Sequence, residues 1–263
     1  MLDTLFLQIL NMSFTASYVI LFVLLARLIL QKAPKIFSYA LWSVVLFRLC
    51  CPFSFESAIS LLPYKTGITP AGILYTQTPG VDVGIPAVSA AINAALPVPN
   101  LGDSVNPMQI VVAIAAVLWL VGIAALLIYS VVSLLKLCRR LKDAVQESGN
   151  IYSSASLTSP FVMGLFRPKI YLPAHLTEEE KCYIVLHEQT HIKRLDHVVK
   201  IVSFFVLCLH WFNPLVWLAF FLSGRDMELS CDEAVIKKLG SDVKKDYSSS
   251  LLTLATGRRI VGG

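Results

Sequence analysis

Four apolar runs divide this chain. The first extends from Leu5 to Leu30 and is uncharged up to Arg27; the second extends from about Phe37 to Phe55 with Arg48 as its one charge. The third, Met108 to Leu135, carries no charge, and the fourth is Val198 to Leu222. Crossing a bilayer takes about 20 apolar residues in a helix. The first and third runs are therefore predicted to span. The second, shortened by Arg48 and Pro52, is predicted to span with Arg48 reaching an interface or facing other helices. In the fourth, Trp211-Phe212-Asn213-Pro214 interrupts the pattern, because proline disfavours helix at the residue before it. Each half is then too short to cross, and the run predicts a helical hairpin, packed beside other helices or dipping into the membrane surface.

Two other patterns stand out. Thr177-Glu178-Glu179-Glu180 has the form of a capping box. The apolar residues Tyr183 to Leu186 follow it, so a helix is predicted from about Glu178 to Leu195. Upstream, Ser159 to Pro173 is β-prone and bounded by prolines. It predicts one or two short strands with a hairpin through Gly164 to Pro168. Such a strand is either purely structural or an edge that pairs with an extended peptide. Residues 139–150 read as a charged helical exit from the membrane. The stretch 56–107 holds seven prolines, among them Pro63, Pro86 and Pro107, and reads as an irregular external connector without a core of its own.

Composition and charge sharpen this outline. The 263 residues are 56% hydrophobic and only 15% charged, where soluble domains carry about 25% charge. The first run has no basic stretch before it and is long, so it does not read as a signal peptide. Lys32 and Lys35 lie between runs one and two, and Lys136, Arg139, Arg140 and Lys142 follow run three. The 56–107 loop has one lysine and no arginine. The positive-inside rule then puts the N-terminus outside, the 31–36 loop in the cytoplasm, the 56–107 loop outside and everything after Leu135 in the cytoplasm. The net charge of +5 sits mainly at membrane edges, which argues against direct nucleic-acid binding. Cys50, Cys51, Cys138, Cys182, Cys208 and Cys231 form no C-x-x-C. Four of them fall in the expected cytoplasmic part, where thiols stay reduced, and Cys50-Cys51 lies near the outer face; most read as small apolar fillers.

The chemistry lies in His187-Glu188-Gln189-Thr190-His191. On a helix, positions i and i+4 share a face, so both histidines can hold one zinc ion while Glu188 stands beside a metal-bound water. A catalytic zinc takes three protein ligands and a water. The acidic candidates after His191 are Asp196, Asp226, Glu228, Asp232 and Glu233. Glu228 and Asp232 are spaced i, i+4, so one helix face could offer Glu228 to the metal while Asp232 supports a ligand histidine. Asp196, just past the motif helix, could do similar supporting work. A ligand downstream of the fourth run must reach the same metal as His191, which again argues against a single crossing by 198–222. His210 beside Trp211 reads as an interfacial or core residue. His197 and Arg225 are open choices for stabilising an oxyanion.

The strings His187 to Asp196, His210 to Trp217 and Arg225 to Val235, with the membrane plan and the Ser159–Pro173 segment, resemble the bacterial antirepressor membrane metallopeptidases. These are the β-lactam sensor-transducers of the penicillinase and methicillin-resistance regulatory systems. The resemblance implies a mainly α membrane protein: three transmembrane helices plus a cytoplasmic gluzincin-type zinc metallopeptidase domain with a small β element. It implies zinc held by His187, His191 and Glu228, with Glu188 as general base and Asp232, alongside Asp196, behind the ligands. The expected parts are two spans in 1–55, the external loop 56–107, the third span in 108–138, the peptidase domain 139–257 and the start of a following segment in 258–263. Expected partners are the bilayer and a peptide or protein substrate, either a cytoplasmic repressor or the chain itself. A homodimer stays open. The expected location is the bacterial plasma membrane. A housekeeping membrane protease and a non-catalytic zinc-bearing scaffold are the competing functions; an intact Glu188 disfavours the scaffold. Receptors of the resembled family carry a further span and an external penicillin-binding domain. The chain read here is expected to be a fragment, a truncated product or a member without that sensor, and to lack the S-x-x-K acylation pattern. Arg258-Arg259 is a candidate self-cleavage site.

Overall fold

The computed structural model describes residues 1–51, 80–97 and 107–240. In order, these form α1 (Leu2–Ile29), α2 (Lys35–Cys50), α3 (Pro86–Ala95), α4 (Pro107–Arg140), β1 (Val145–Ser148), β2 (Ile151–Ser154), β3 (Phe161–Met163), β4 (Lys169–Pro173), α5 (Glu178–Lys193), α6 (Asp196–Leu209) and α7 (Pro214–Leu239). Two helical stretches, Leu2–Lys32 and Pro107–Asp143, are long and apolar enough to cross a membrane. The second expected span is shorter than its apolar run: α2 has 16 residues, under the roughly 20 a span requires, and residues 52–55 lie outside the described part. The expected irregular connector holds a helix, α3, which starts with Pro86 at its first turn, where a missing N–H costs nothing. Arg258-Arg259 and the 258–263 segment also lie outside the described residues.

The chain divides into two compact units. One comprises Met1–Ala26, Trp42–Leu127 and Val206–Ala219; the other comprises Arg27–Leu41, Ile128–Phe205 and Phe220–Gly263. In the first, Phe6 and Leu7 of α1 pack with Met108, Val112, Ala116 and Trp119 of α4 and with Val81 and Val83. The α6–α7 turn is held here by side chains that satisfy its backbone. Trp119 Nε1 donates to the Leu209 carbonyl at 2.8 Å and Trp217 Nε1 to the Trp211 carbonyl at 2.7 Å. Trp211 Nε1 in turn donates to the Trp119 carbonyl at 3.2 Å. Asn213 caps α7, its Oδ1 accepting from the Leu215 N–H at 2.9 Å, while its Nδ2 donates to Ser13 Oγ and Ser17 Oγ of α1, both at 2.8 Å. In apolar surroundings each of these groups would be expensive to leave unpaired. His210 is fully buried, with Nε2 3.3 Å from the Leu49 carbonyl, in line with a core residue. The expected hairpin breaks where proline placed it, but its second arm does not stop near Leu222: α7 runs 26 residues as one helix.

In the second unit a four-stranded sheet has the order β1-β2-β4-β3. The segment read as a helical exit instead ends its helix at Arg140, passes through a 3-10 turn (Leu141–Asp143) and pairs as β1 with β2. Ser154 and Ser156 fix this change of direction. Ser154 Oγ donates to the Asp143 carboxylate at 3.1 Å, and Ser156 Oγ to the Arg140 carbonyl at 2.8 Å. The expected hairpin is present: β3 and β4 are antiparallel, with Val162 opposite Ile170. Gly164 makes its turn at φ +111°, where an added Cβ would fall 2.7 Å from the Arg167 carbonyl oxygen. Side chains alternate along β4 as the pleat requires. Ile170 and Leu172 pack with Leu176 and with Ile184 of α5, whereas Tyr171 stacks between Tyr152 and Phe161 at 5.4 Å from each. Helix α5 starts in the expected capping box. Thr177 Oγ1 accepts from the Glu180 N–H, and the Glu180 carboxylate accepts from the Thr177 N–H.

Two outcomes follow. Thr177→Ala should lower stability by about 1 kcal/mol, the usual loss of an N-cap, read as a lower melting temperature with the helix content kept. At Gly122 an added Cβ would collide with the Trp211 indole. Gly122→Ala should therefore destabilise by about 1–3 kcal/mol, as overpacking does, and the same measurement checks it.

Candidate metal centre

Helix α5 presents His187 and His191 one turn apart, and both are buried. After Lys193 the chain turns sharply. Leu195 takes φ +59°, a conformation uncommon for a residue with a branched side chain, and the turn brings Asp196 at the start of α6 back beneath His191. Asp196 Oδ2 lies 2.7 Å from His191 Nδ1. On α7, Asp232 Oδ1 lies 3.3 Å from His187 Nδ1. A carboxylate only accepts hydrogen bonds, so both Nδ1 atoms carry a proton and Nε2 is the atom of each ring left to ligate a metal once it is deprotonated.

Those Nε2 atoms face each other. His187 Nε2 and His191 Nε2 are 3.0 Å apart, and Glu228 Oε2 is 3.1 Å from the second and 3.5 Å from the first. Three acceptors converging on such a triangle repel unless a cation sits among them. A tetrahedral ion with ligand bonds near 2.0–2.1 Å separates its ligands by roughly 3.3 Å, so the donor set fits a zinc-sized divalent ion. Glu228 Oε1 is held from outside by Lys200 Nζ at 2.8 Å.

The protonation preferences report the same crowding. Burial disfavours the charged form of His187, yet hydrogen bonds to Asp232, Cys231 and Glu228 outweigh it and hold the imidazole well above its usual value. Burial likewise opposes His191, but the bond to Asp196 and those to Cys231 and Glu228 raise it to about 11. Burial acts against ionised Glu228 too, and its bonds to the two histidines and Lys200 overcome that and lower it. Burial pushes the Glu188 carboxyl up, partly offset by the histidines.

Of the residues singled out in the sequence, His187, His191, Glu228, Asp232 and Asp196 come together. Glu188 is buried on α5 beside His187. His197 contacts the β3–β4 turn instead, with Nε2 3.3 Å from the Leu165 carbonyl, and Arg225 is exposed on α7. Asp226 is buried against Arg27 rather than near the donors, and Glu233 accepts from the Lys35 N–H at 2.7 Å. Cys231, read as a filler, has its thiol within 4.8 Å of the donor nitrogens of both histidines. Its position three residues after Glu228, on the same helix face, was the available signal. Tyr39 and Arg194 were also missed: Tyr39 Oη donates to Asp196 Oδ1 at 3.1 Å, and Arg194 Nε lies 3.4 Å from Asp196 Oδ2. The S-x-x-K spacing does occur, at Ser133–Lys136 within α4 and at Ser241–Lys244 outside the described residues; the expectation that it is lacking was wrong.

The chain is similar to known proteins. The regulatory protein BlaR1 of Bacillus licheniformis is 30% identical over 158 residues, covering 51% of this chain and 26% of that protein. The methicillin resistance mecR1 proteins of Staphylococcus aureus and Staphylococcus epidermidis are each 30% identical over 122 residues, covering 45% of this chain and 21% of theirs. The chain thus matches about a quarter or less of the length of these relatives. The family model described as BlaR1 peptidase M56 matches residues 7–262, and with so nearly the whole chain matched, the protein belongs to the BlaR1 peptidase M56 family.

Proposed function

We propose that this chain is an integral membrane zinc endopeptidase that acts in regulatory signalling, cleaving a cytoplasmic repressor, its own chain or both. The observation that carries the reading is the convergence of three lone-pair donors within about one ligand-to-ligand distance, with the buried Glu188 carboxyl next in sequence to one of them. His187, His191 and Glu228 hold the ion; Asp232 and Asp196 fix the two imidazoles in the tautomer that can ligate. Bound zinc would supply Lewis acidity to a scissile carbonyl and an acidified water. Glu188 takes the water proton and delivers it to the leaving amine, a return trip suited to a carboxyl whose proton affinity burial has raised. Edge strand β3 lies beside α5 and carries one unpaired side along the sheet, so an extended substrate can pair with it.

The membrane plan supports the same reading. Helices α1 and α4 cross the bilayer, and the apolar run that contains α2 makes the third span. Arg27, Lys32 and Lys35 mark one cytoplasmic edge and Lys136 to Lys142 the other. The N-terminus is then outside and the metal centre faces the cytoplasm, where a repressor would be within reach.

The reading is tested in membranes holding the chain and a co-expressed candidate repressor. Wild type should yield chelator-sensitive fragments, whereas Glu188→Gln should bind zinc equally and yield none; equal cleavage by both would remove Glu188 from the mechanism. Metal content of the purified protein separates the donor sets. Glu228→Gln should weaken zinc binding by at least 10-fold, the scale of losing a charged ligand or its support, while Cys231→Ser should leave it near wild type. The reverse result would make the thiol the third ligand.

A further inference from the structure

The end of α1 and the first turns of α2 are tied to α6 and α7 of the metal centre. Arg27, at the end of α1, grips Asp226 with two prongs, Nε to Oδ2 at 2.6 Å and an Nη to Oδ1 at 2.8 Å. Asp226 is 1% exposed and stands two residues before Glu228 on α7. The backbone N–H of Lys35, the first residue of α2, donates to the Glu233 carboxylate farther along the same helix. One turn later Tyr39 donates to Asp196, the residue that holds His191 Nδ1. Arg194, which also reaches Asp196, lies over the Tyr39 ring, 5.1 Å from its centre.

Asp196 is also 1% exposed. A buried carboxylate keeps one orientation only if its acceptor positions are occupied from fixed directions. His191 and Arg194 share Oδ2, and Tyr39 occupies Oδ1. Without the phenol hydroxyl the carboxylate could rotate, and the imidazole that follows it would leave the line to the donor triangle. Partners of this kind behind a ligand histidine typically set metal affinity by 10–100-fold.

We infer that Tyr39 of α2 is a positioning residue of the metal centre, acting through Asp196 on His191, so that a displacement of the segment Arg27–Leu41 is a displacement of the metal site. The tethers Arg27–Asp226 and Lys35–Glu233 hold that segment against α7, and Tyr39 passes its position to His191 through Asp196. By linkage, metal binding and the position of this segment must influence one another equally. This rests on the metal site proposed above.

The test uses the full chain in detergent, stripped of metal and titrated with zinc against a chromophoric chelator and with cobalt for its ligand-field spectrum. Tyr39→Phe should weaken zinc binding about 10-fold and shift the cobalt spectrum at saturation, with the metal-free melting temperature unchanged. In an Asp196→Asn background the same substitution should add nothing, since the two act as one unit. Tyr129→Phe, at an exposed tyrosine of α4, is the control and should match wild type. Affinity within about twofold of wild type for Tyr39→Phe, or the same loss in both backgrounds, overturns the inference while leaving the metal site standing. A wild-type chain that binds neither ion overturns both. Should Tyr39→Phe not fold, hydrogen exchange in the wild type decides: zinc should slow exchange across residues 27–39, and no change there overturns the inference.

Discussion

A carboxylate cannot be buried alone, and two of them, Asp196 and Asp226, are each 1% exposed. An unpaired charge at that depth would cost several kcal/mol. Each is therefore surrounded: Asp196 by His191, Tyr39 and Arg194, and Asp226 by the two-pronged Arg27. Meeting this single requirement recruits the end of α1, the first turns of α2, the end of α5, the start of α6 and the middle of α7. The candidate metal centre is what those elements have in common. Buried charge pairs join them there, beside the apolar clusters of α5 with the sheet and around Cys231 and Val235.

The same logic governs the α6–α7 turn on a neutral scale. A turn leaves carbonyls and N–H groups outside the helical ladder. Here indole N–H groups of Trp119 and Trp217 take the Leu209 and Trp211 carbonyls, and Asn213 serves its own helix and two serines of α1. Gly122 matters because the Trp211 ring occupies the space a Cβ would take. Tryptophan suits this work, since it brings a large apolar body and a single donor to be placed.

How much of this was legible depended on how local each cause is. The α5 capping box, the H-E-x-x-H face and the break at Asn213-Pro214 are written within a few residues, and each appears where local rules put it. The β3–β4 hairpin was equally readable from its prolines and Gly164. Val145 to Ser148 reads as a polar helical tail, because nothing within it announces pairing with Ile151 to Ser154; the strand exists through its partner. Helix α3 hides in a stretch whose prolines and glycines argue for loop. The turn at Leu195 is invisible, since glycine is the usual sign of a positive φ and none is present. Tyr39 and Asp196 are 157 positions apart, and no spacing rule links them.

The charges around the centre explain why its histidines hold protons so tightly. Glu188, Asp196, Glu228 and Asp232 bring four carboxylates, whereas Arg194 and Lys200 bring two cations in contact with them. With neutral imidazoles the cluster is two negative charges in excess; His187, Glu188, His191 and Asp196 are buried, while Glu228, Asp232 and Lys200 stay partly open to water. Protons on His187 and His191 remove that excess, which is the physical content of their raised affinities. A divalent ion removes it equally well and also satisfies the lone pairs of both Nε2 atoms and of Glu228. An ion at the proposed site would therefore compete with those protons, and its uptake would expel them. Glu188, the general base of the proposed reaction, is a buried carboxyl whose affinity for a proton burial raises.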